Sequence, residues 1–341
     1  NTPVITGIGL VTPIGIGLEA FKKGLAQGRS GLSPLTPLGT EWEGFQGGLV
    51  DIPSVREKIP AKMRRRLNRQ ASFLFVSLQE AMAVAGLDPD HEGKRAFVYG
   101  SAFGCSGNVH RFYSQLLADG PTFTSPREFN MSVTNAPPAL VAQNLGLNGP
   151  IWVFVADEAS WDQALHWGAM LIEQGRADQV LVSAAEEVSD SIVAIHQELG
   201  LLEQGAGKGL VLGEGAVSMV LESQQAARER GARIYGAITA WNTHQDPECG
   251  PLEYSSHGGA LFQAAAKCLD RVREREGAIL CMTPENGTKA VDRLVSEVSR
   301  GLDDRYPERI NRVPFLSPFG VSGIAGGLGL AVALLDKNAP P

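Results

Sequence analysis

Two adjacent carboxylates, Asp157 and Glu158, lie in the stretch Val155-Ala156-Asp157-Glu158-Ala159-Ser160. Neighbouring carboxyl groups can take up and return protons, so acid–base chemistry is one reading of this stretch. A helix starting just beyond it would favour their ionised form through its dipole, and burial would oppose it. The plainer reading is that Glu158 satisfies backbone donors at a turn and fills the space there. Other reactive residues form no such group. The cysteines at 105, 249, 268 and 281 have neither metal-ligand nor disulfide spacing and are expected to be reduced. His110, His166 and His196 fall on expected helices, and His244 and His257 fall in loops with no second ligand at metal spacing. Gly205-Ala206-Gly207-Lys208 has the flavour of a phosphate loop but lacks G-x-x-x-x-G-K-[ST]. No metal site is expected.

The elements that must carry the carboxylate pair can be read around it. Ile151 to Val155 has β-branched and aromatic residues on both faces, which predicts a fully buried strand of a covered parallel sheet. Ala159 to Gln174 repeats apolar residues at helical spacing, at Trp161, Ala164, Leu165, Gly168, Leu171 and Ile172, and Gly175 is a plausible stop. Val180 to Ala184 predicts a second buried strand. The pair thus sits on a sharp turn at the C-terminal end of a strand, where α/β proteins place their chemistry.

Composition narrows the class. The chain has 341 residues, 43% of them hydrophobic, enough for a large core or two fused halves. The net charge of −7 and the lack of a long basic run argue against nucleic acid. The opening NTPVITGIG has no basic n-region, so no signal peptide is expected, and cysteines without disulfide spacing lead to the expectation of a cytoplasmic setting. The apolar stretch Val321 to Leu335 is shorter than the roughly 20 residues of a membrane span and predicts a buried helix. The one basic cluster, Lys62-Met63-Arg64-Arg65-Arg66-Leu67-Asn68-Arg69, leads into an amphipathic helix over 71–85. It is either a solvated helix start or a docking patch for an acidic partner.

Several stretches resemble β-ketoacyl-acyl-carrier-protein synthases (ketosynthases) of the thiolase superfamily. Val4-Ile5-Thr6-Gly7-Ile8-Gly9-Leu10-Val11-Thr12-Pro13-Ile14-Gly15 is similar to the family's opening V-I-T-G-x-G-x-V-T-P-x-G. Gly209 to Glu222 resembles G-F-V-x-G-E-G-A-x-x-x-V-L-E, and Ser183 to Glu187 resembles A-G-G-x-E. The resemblance spans 1–337. It implies an α/β protein of the thiolase fold, with two βαβαβ-type halves, 1–230 and 231–341, in a layered α/β/α/β/α core. The family uses no cofactor of its own.

The resemblance also implies where chemistry should be, and there the motifs fail. Counting back from Gly175-Arg176-Ala177-Asp178, which matches G-x-A-D, the nucleophilic cysteine position falls on Glu158. The two histidine positions fall on Asn286, in Asn286-Gly287-Thr288, and on Val321; the lysine position falls on Leu316. Loss of the nucleophile alone removes on the order of four to six decades of rate. The implied protein is a chain-length factor of a type II polyketide system. Such a subunit forms a heterodimer with an active ketosynthase and shapes the tunnel that sets chain length, while an acyl carrier protein delivers the chain on phosphopantetheine. The alternative is a divergent homodimeric decarboxylase or condensing enzyme. On the first reading Phe103, Phe112, Val133 and Thr134 border the tunnel, Met131 and Asn135 belong to the dimer interface, and Arg64, Arg65, Arg66 and Arg69 dock the carrier. Phe103 as ordinary core is the plainer alternative.

Overall fold

The strand Pro3–Thr12 is buried along its whole length, and its two glycines explain how. A Cβ on Gly9 would fall 1.9 Å from the carbonyl oxygen of Ser77, and one on Gly7 would fall 2.2 Å from that of Ala81. The helix Arg69–Ala85 therefore lies backbone to backbone on this strand, a distance only glycine permits. The computed structural model describes residues 1–88, 93–203, 209–247, 257–272, 278–307 and 309–335. The stretch Gly205-Ala206-Gly207-Lys208 and Cys249 lie outside them.

Six strands form one sheet in the order Gly236–Ala237, Pro3–Thr12, Gly215–Ser223, Gln179–Glu186, Arg95–Gly100, Ile151–Phe154, and Gly15–Ile16 folds back as a seventh on Pro3–Thr12. Gly215–Ser223 is antiparallel to both of its neighbours. Arg95–Gly100 is parallel to both of its own. Alternation along the strands splits the core in two. Phe97, Tyr99, Leu181 and Val220 pack under the helix Arg69–Ala85 with Phe73 and Leu74. Val98, Val180, Val182 and Met219 pack on the other face with Trp161 and Leu171 of the helix Ser160–Glu173.

Two expectations change. The strand after Pro150 is parallel but not fully buried: it is the edge of the sheet, with Ile151 and Val155 exposed and the residues between half-buried. An apolar run on both faces looks the same in sequence whether a further strand covers it or not. The half 231–341, expected to be a βαβαβ-type unit of its own, begins by contributing Gly236–Ala237 to the first sheet, antiparallel to Pro3–Thr12. Of the two smaller sheets among the described residues, one pairs Ile279–Thr283 with Ile310–Pro314 in parallel, and the other joins Leu32–Pro34, Gln46–Gly48 and Leu212–Gly213. The helix Ala325–Leu335 forms within the apolar run 321–335, starting four residues into it, and its Gly327 lies against the Trp161 ring. No helix among the described residues is long and apolar enough to cross a membrane.

Candidate functional site

The carboxylate-bearing turn is built by one serine. Ser160, fully buried at the start of its helix, accepts from the Ala156 N–H at 3.0 Å and donates to the Asp157 carbonyl at 2.7 Å. Between them the chain makes a single 3-10 turn, Asp157–Ala159. Asp157 is forced to φ 47°, the only non-glycine with positive φ among the described residues. Such a conformation is costly away from glycine and is characteristic of sharp functional turns.

Glu158 stands near Asn286, on the loop after the strand Ile279–Thr283. Desolvation of the Glu158 carboxyl pushes its pKa up, the Asn286 side chain opposes the rise, and Asp157 adds to it. The residue as a whole is exposed, so its carboxyl does not lie in sealed core. Asn286 is held by its own loop. Its Oδ1 accepts from the Thr288 N–H at 3.0 Å and from the Thr288 hydroxyl at 2.6 Å, and Asp292 Oδ1 accepts the backbone N–H groups of Asn286 and Gly287 at 3.1 and 3.3 Å.

The other two positions carry no polar chemistry. Val321 is buried, and its backbone bonds to Val211 and Gly213. Leu316 is core. Nor does a described thiol compensate. Burial pushes Cys105 up to about 12 and raises Cys268 and Cys281, the opposite of the shift that makes a nucleophile.

The remaining expected residues sort as follows. The turn Ser101 to Gly104, which carries Phe103, lies against the segment 133–134: Thr134 Oγ1 would be 3.2 Å from a Cβ on Gly104, and the Val133 carbonyl is 3.5 Å from Cys105 Sγ. Phe103 packs edge to face on His196 at 5.6 Å, whereas Phe112 packs on Tyr113 and Phe129. The two phenylalanines thus belong to separate aromatic groups. Met131 is half-buried at the end of the helix Pro126–Met131. Asn135 is exposed at the head of the helix Ala136–Leu145, with no side-chain capping bond. Arg64, Arg65 and Arg66 are exposed on turns before the helix Arg69–Ala85. Arg69 does not belong with them: its guanidinium forms a two-pronged ion pair with the buried Glu214, which also accepts the N–H groups of Val50 and Val188. Placing Arg69 on a docking surface is therefore corrected, because that charge is already spent inside the fold.

Two carboxylates escaped the sequence reading. Asp162, one turn beyond Glu158, faces Gly326, where a Cβ would fall 2.7 Å from either carboxylate oxygen. Crowding of its carboxyl pushes the pKa up to about 6, although the residue also keeps an open side. Glu186 ends the strand Gln179–Glu186 with no exposure at all, and burial pushes it up to about 8. Its folded pKa thus stands above the ordinary value of 4.5, so the folded state holds a proton that the unfolded chain releases. Stability should therefore be highest below about pH 4.5 with respect to this group and fall as pH rises toward 8, by on the order of 1 kcal/mol per pH unit. Melting temperatures across that window should slope downward, and Glu186→Gln should flatten the slope. An equal slope in the variant would assign it to other carboxyls, such as Glu80 and Glu187, which burial raises in the same sense.

Residues 2–227 match the family model of the β-ketoacyl synthase N-terminal domain. The chain belongs to the β-ketoacyl synthase family. A granaticin polyketide β-ketoacyl synthase 1 of Streptomyces violaceoruber is 26% identical over 366 residues, covering 99% of this chain and 86% of that protein. Among solved structures, the ishigamide ketosynthase/chain length factor superposes with a TM-score of 0.84 at 24% identity, over 98% of this chain and 85% of the other. A ketosynthase bound to the hexaketide, in a complex with its type II polyketide acyl-carrier protein, gives 0.83 at 20% identity, over 98% and 86%. The fold is the thiolase fold of ketosynthases. In this family member the turn that leads into the helix Ser160–Glu173 carries Glu158, with Asn286 beside it.

Proposed function

We propose that this chain is a catalytically degenerate ketosynthase subunit, a chain-length factor that pairs with an active ketosynthase and shapes the pocket in which its product grows. The pairing of Glu158 with Asn286 carries the reading. At the positions where the family resemblance puts a thiolate and a histidine, there is a carboxyl with an amide beside it, across the proposed halves 1–230 and 231–341. A carboxyl with a raised pKa is a poor nucleophile for acyl transfer. Val321 and Leu316 offer no hydrogen bond to a developing enolate, which also weighs against the decarboxylase or condensing alternative.

Pairing is supported by what the single chain leaves open. Leu117 and Phe123 are 84% and 79% exposed, and Tyr113, Phe129 and Val133 are exposed with them. Among the described residues the strand Ile151–Phe154 has no neighbour on its outer edge. Apolar surface and a free sheet edge of this kind call for a covering partner. On this reading the exposed Arg64, Arg65 and Arg66 meet an acidic acyl carrier protein, Met131 and Asn135 face the partner, and Val133 and Thr134 reach its tunnel. Co-expression with a ketosynthase that has the Cys-His-His set should yield a tight one-to-one complex, and expression alone should yield poorly soluble material. A monodisperse monomer at micromolar concentration that ignores the ketosynthase would contradict the proposal.

A further inference from the structure

The turn that presents Phe103 is held from inside by one carboxyl. Glu186 accepts from the backbone N–H of Ala102 and, at 3.4 Å, from that of Phe103. Ser101 Oγ accepts from the Gly104 N–H and from Gln70 Nε2, each at 3.0 Å, which ties the start of the turn to its end and to the helix Arg69–Ala85. The loop carrying Val321 closes the arrangement: a Cβ on Gly323 would fall 2.6 Å from Glu186 Oε1 and 2.8 Å from the Ala102 nitrogen. Among the described residues no cation is paired with the carboxyl. Arg69 and Arg111 act on the neighbouring Glu187 instead. A buried acid without a counter-ion is an expensive way to end a strand whose preceding residues, Ser183-Ala184-Ala185, are small. What it supplies that an apolar residue cannot is an acceptor for two consecutive amides, Ala102 and Phe103, 84 and 83 residues earlier in sequence.

We infer that Glu186 is the positioning residue that fixes Phe103 in the pocket wall, and through it a determinant of product length. The inference rests on the chain-length reading for its second half only. Glu186 touches no substrate on this view; it acts through the turn.

Two near-isosteric variants isolate the acceptor. Glu186→Gln keeps a carbonyl oxygen for the Ala102 amide, and Glu186→Met keeps the length and removes the acceptor. Amide hydrogen exchange over residues 100–105 in the complex with the ketosynthase is the direct readout. Exchange should be at least about tenfold faster in Glu186→Met than in the parent and return most of the way in Glu186→Gln. The reconstituted pair should show the same ranking in product length, with longer chains from the Met variant and the parent pattern from the Gln variant. If Glu186→Met does not fold, Glu186→Ala replaces it, since its cavity admits water to the two amides. Unchanged exchange overturns the inference. So does faster exchange with unchanged product length when Phe103→Ala does alter length. If neither Glu186→Met nor Phe103→Ala alters length, the role of Phe103 fails and takes this inference with it.

Discussion

Arg69→Ala is expected to lower the unfolding free energy by about 3 kcal/mol, and to do so without a specific effect on carrier-protein dependence. Removing one partner of a buried ion pair costs about 3–5 kcal/mol because the other charge is left without compensation. Glu214 has no exposure, and after the change it would keep only the N–H groups of Val50 and Val188. The lower end of the range applies because the Arg69 side chain is itself 30% exposed and water can partly replace it. Chemical denaturation measures the loss. Replacing Arg64 and Arg66 together should have the inverse profile: near-normal stability and a weaker response to carrier protein, more marked at low salt. An Arg69→Ala protein as stable as the parent but deaf to the carrier would return Arg69 to the docking surface.

Phe103→Ala is expected to lengthen the product by at least one two-carbon unit. The ring is half-buried, packed edge to face on His196 and against the core on the sheet's helix-covered side. Protein interiors are close-packed, and forcing further methylenes against a filled wall costs about 1–3 kcal/mol. Removing the ring opens that wall. Because one side of Phe103 is already open, the variant should remain folded, and the partner's acylation rate should stay near its normal value. Product profiles from the reconstituted pair, taken with the melting temperature of the variant, separate a gate from plain core. A stable complex with unchanged product length removes Phe103 from the gate. A loss of about 3–5 kcal/mol with falling yield at constant length would make it ordinary core.

Much of the fold could be read from local pattern. The glycines of Val4-Ile5-Thr6-Gly7-Ile8-Gly9 announce a close contact, and Ser77 and Ala81 supply it. The helix Ala325–Leu335 was legible as an apolar run, and the strand Gln179–Glu186 as a β-branched one. The carboxylate turn was legible too, because strand, turn and helix follow one another in sequence. What was hidden depends on partners far along the chain. Arg69 reads as one of a basic cluster until Glu214, 145 residues later, is seen to hold it. Glu186 reads as a strand-ending acid until the turn at Ala102 closes over it. The edge position of Ile151–Phe154 is a matter of sheet order, which alternation does not encode.

Glu158 and Asn286 stand, without nucleophilic chemistry, where a ketosynthase would have reactive groups. Intact-protein mass spectrometry of the reconstituted pair tests this most directly. After incubation with acyl and malonyl carrier protein, all acyl mass should appear on the Cys-bearing partner and none on this chain, and this chain alone should release no carbon dioxide from malonyl carrier protein. An acyl adduct on this chain that maps to residues 156–161, or decarboxylation that disappears in Glu158→Gln, would contradict the account.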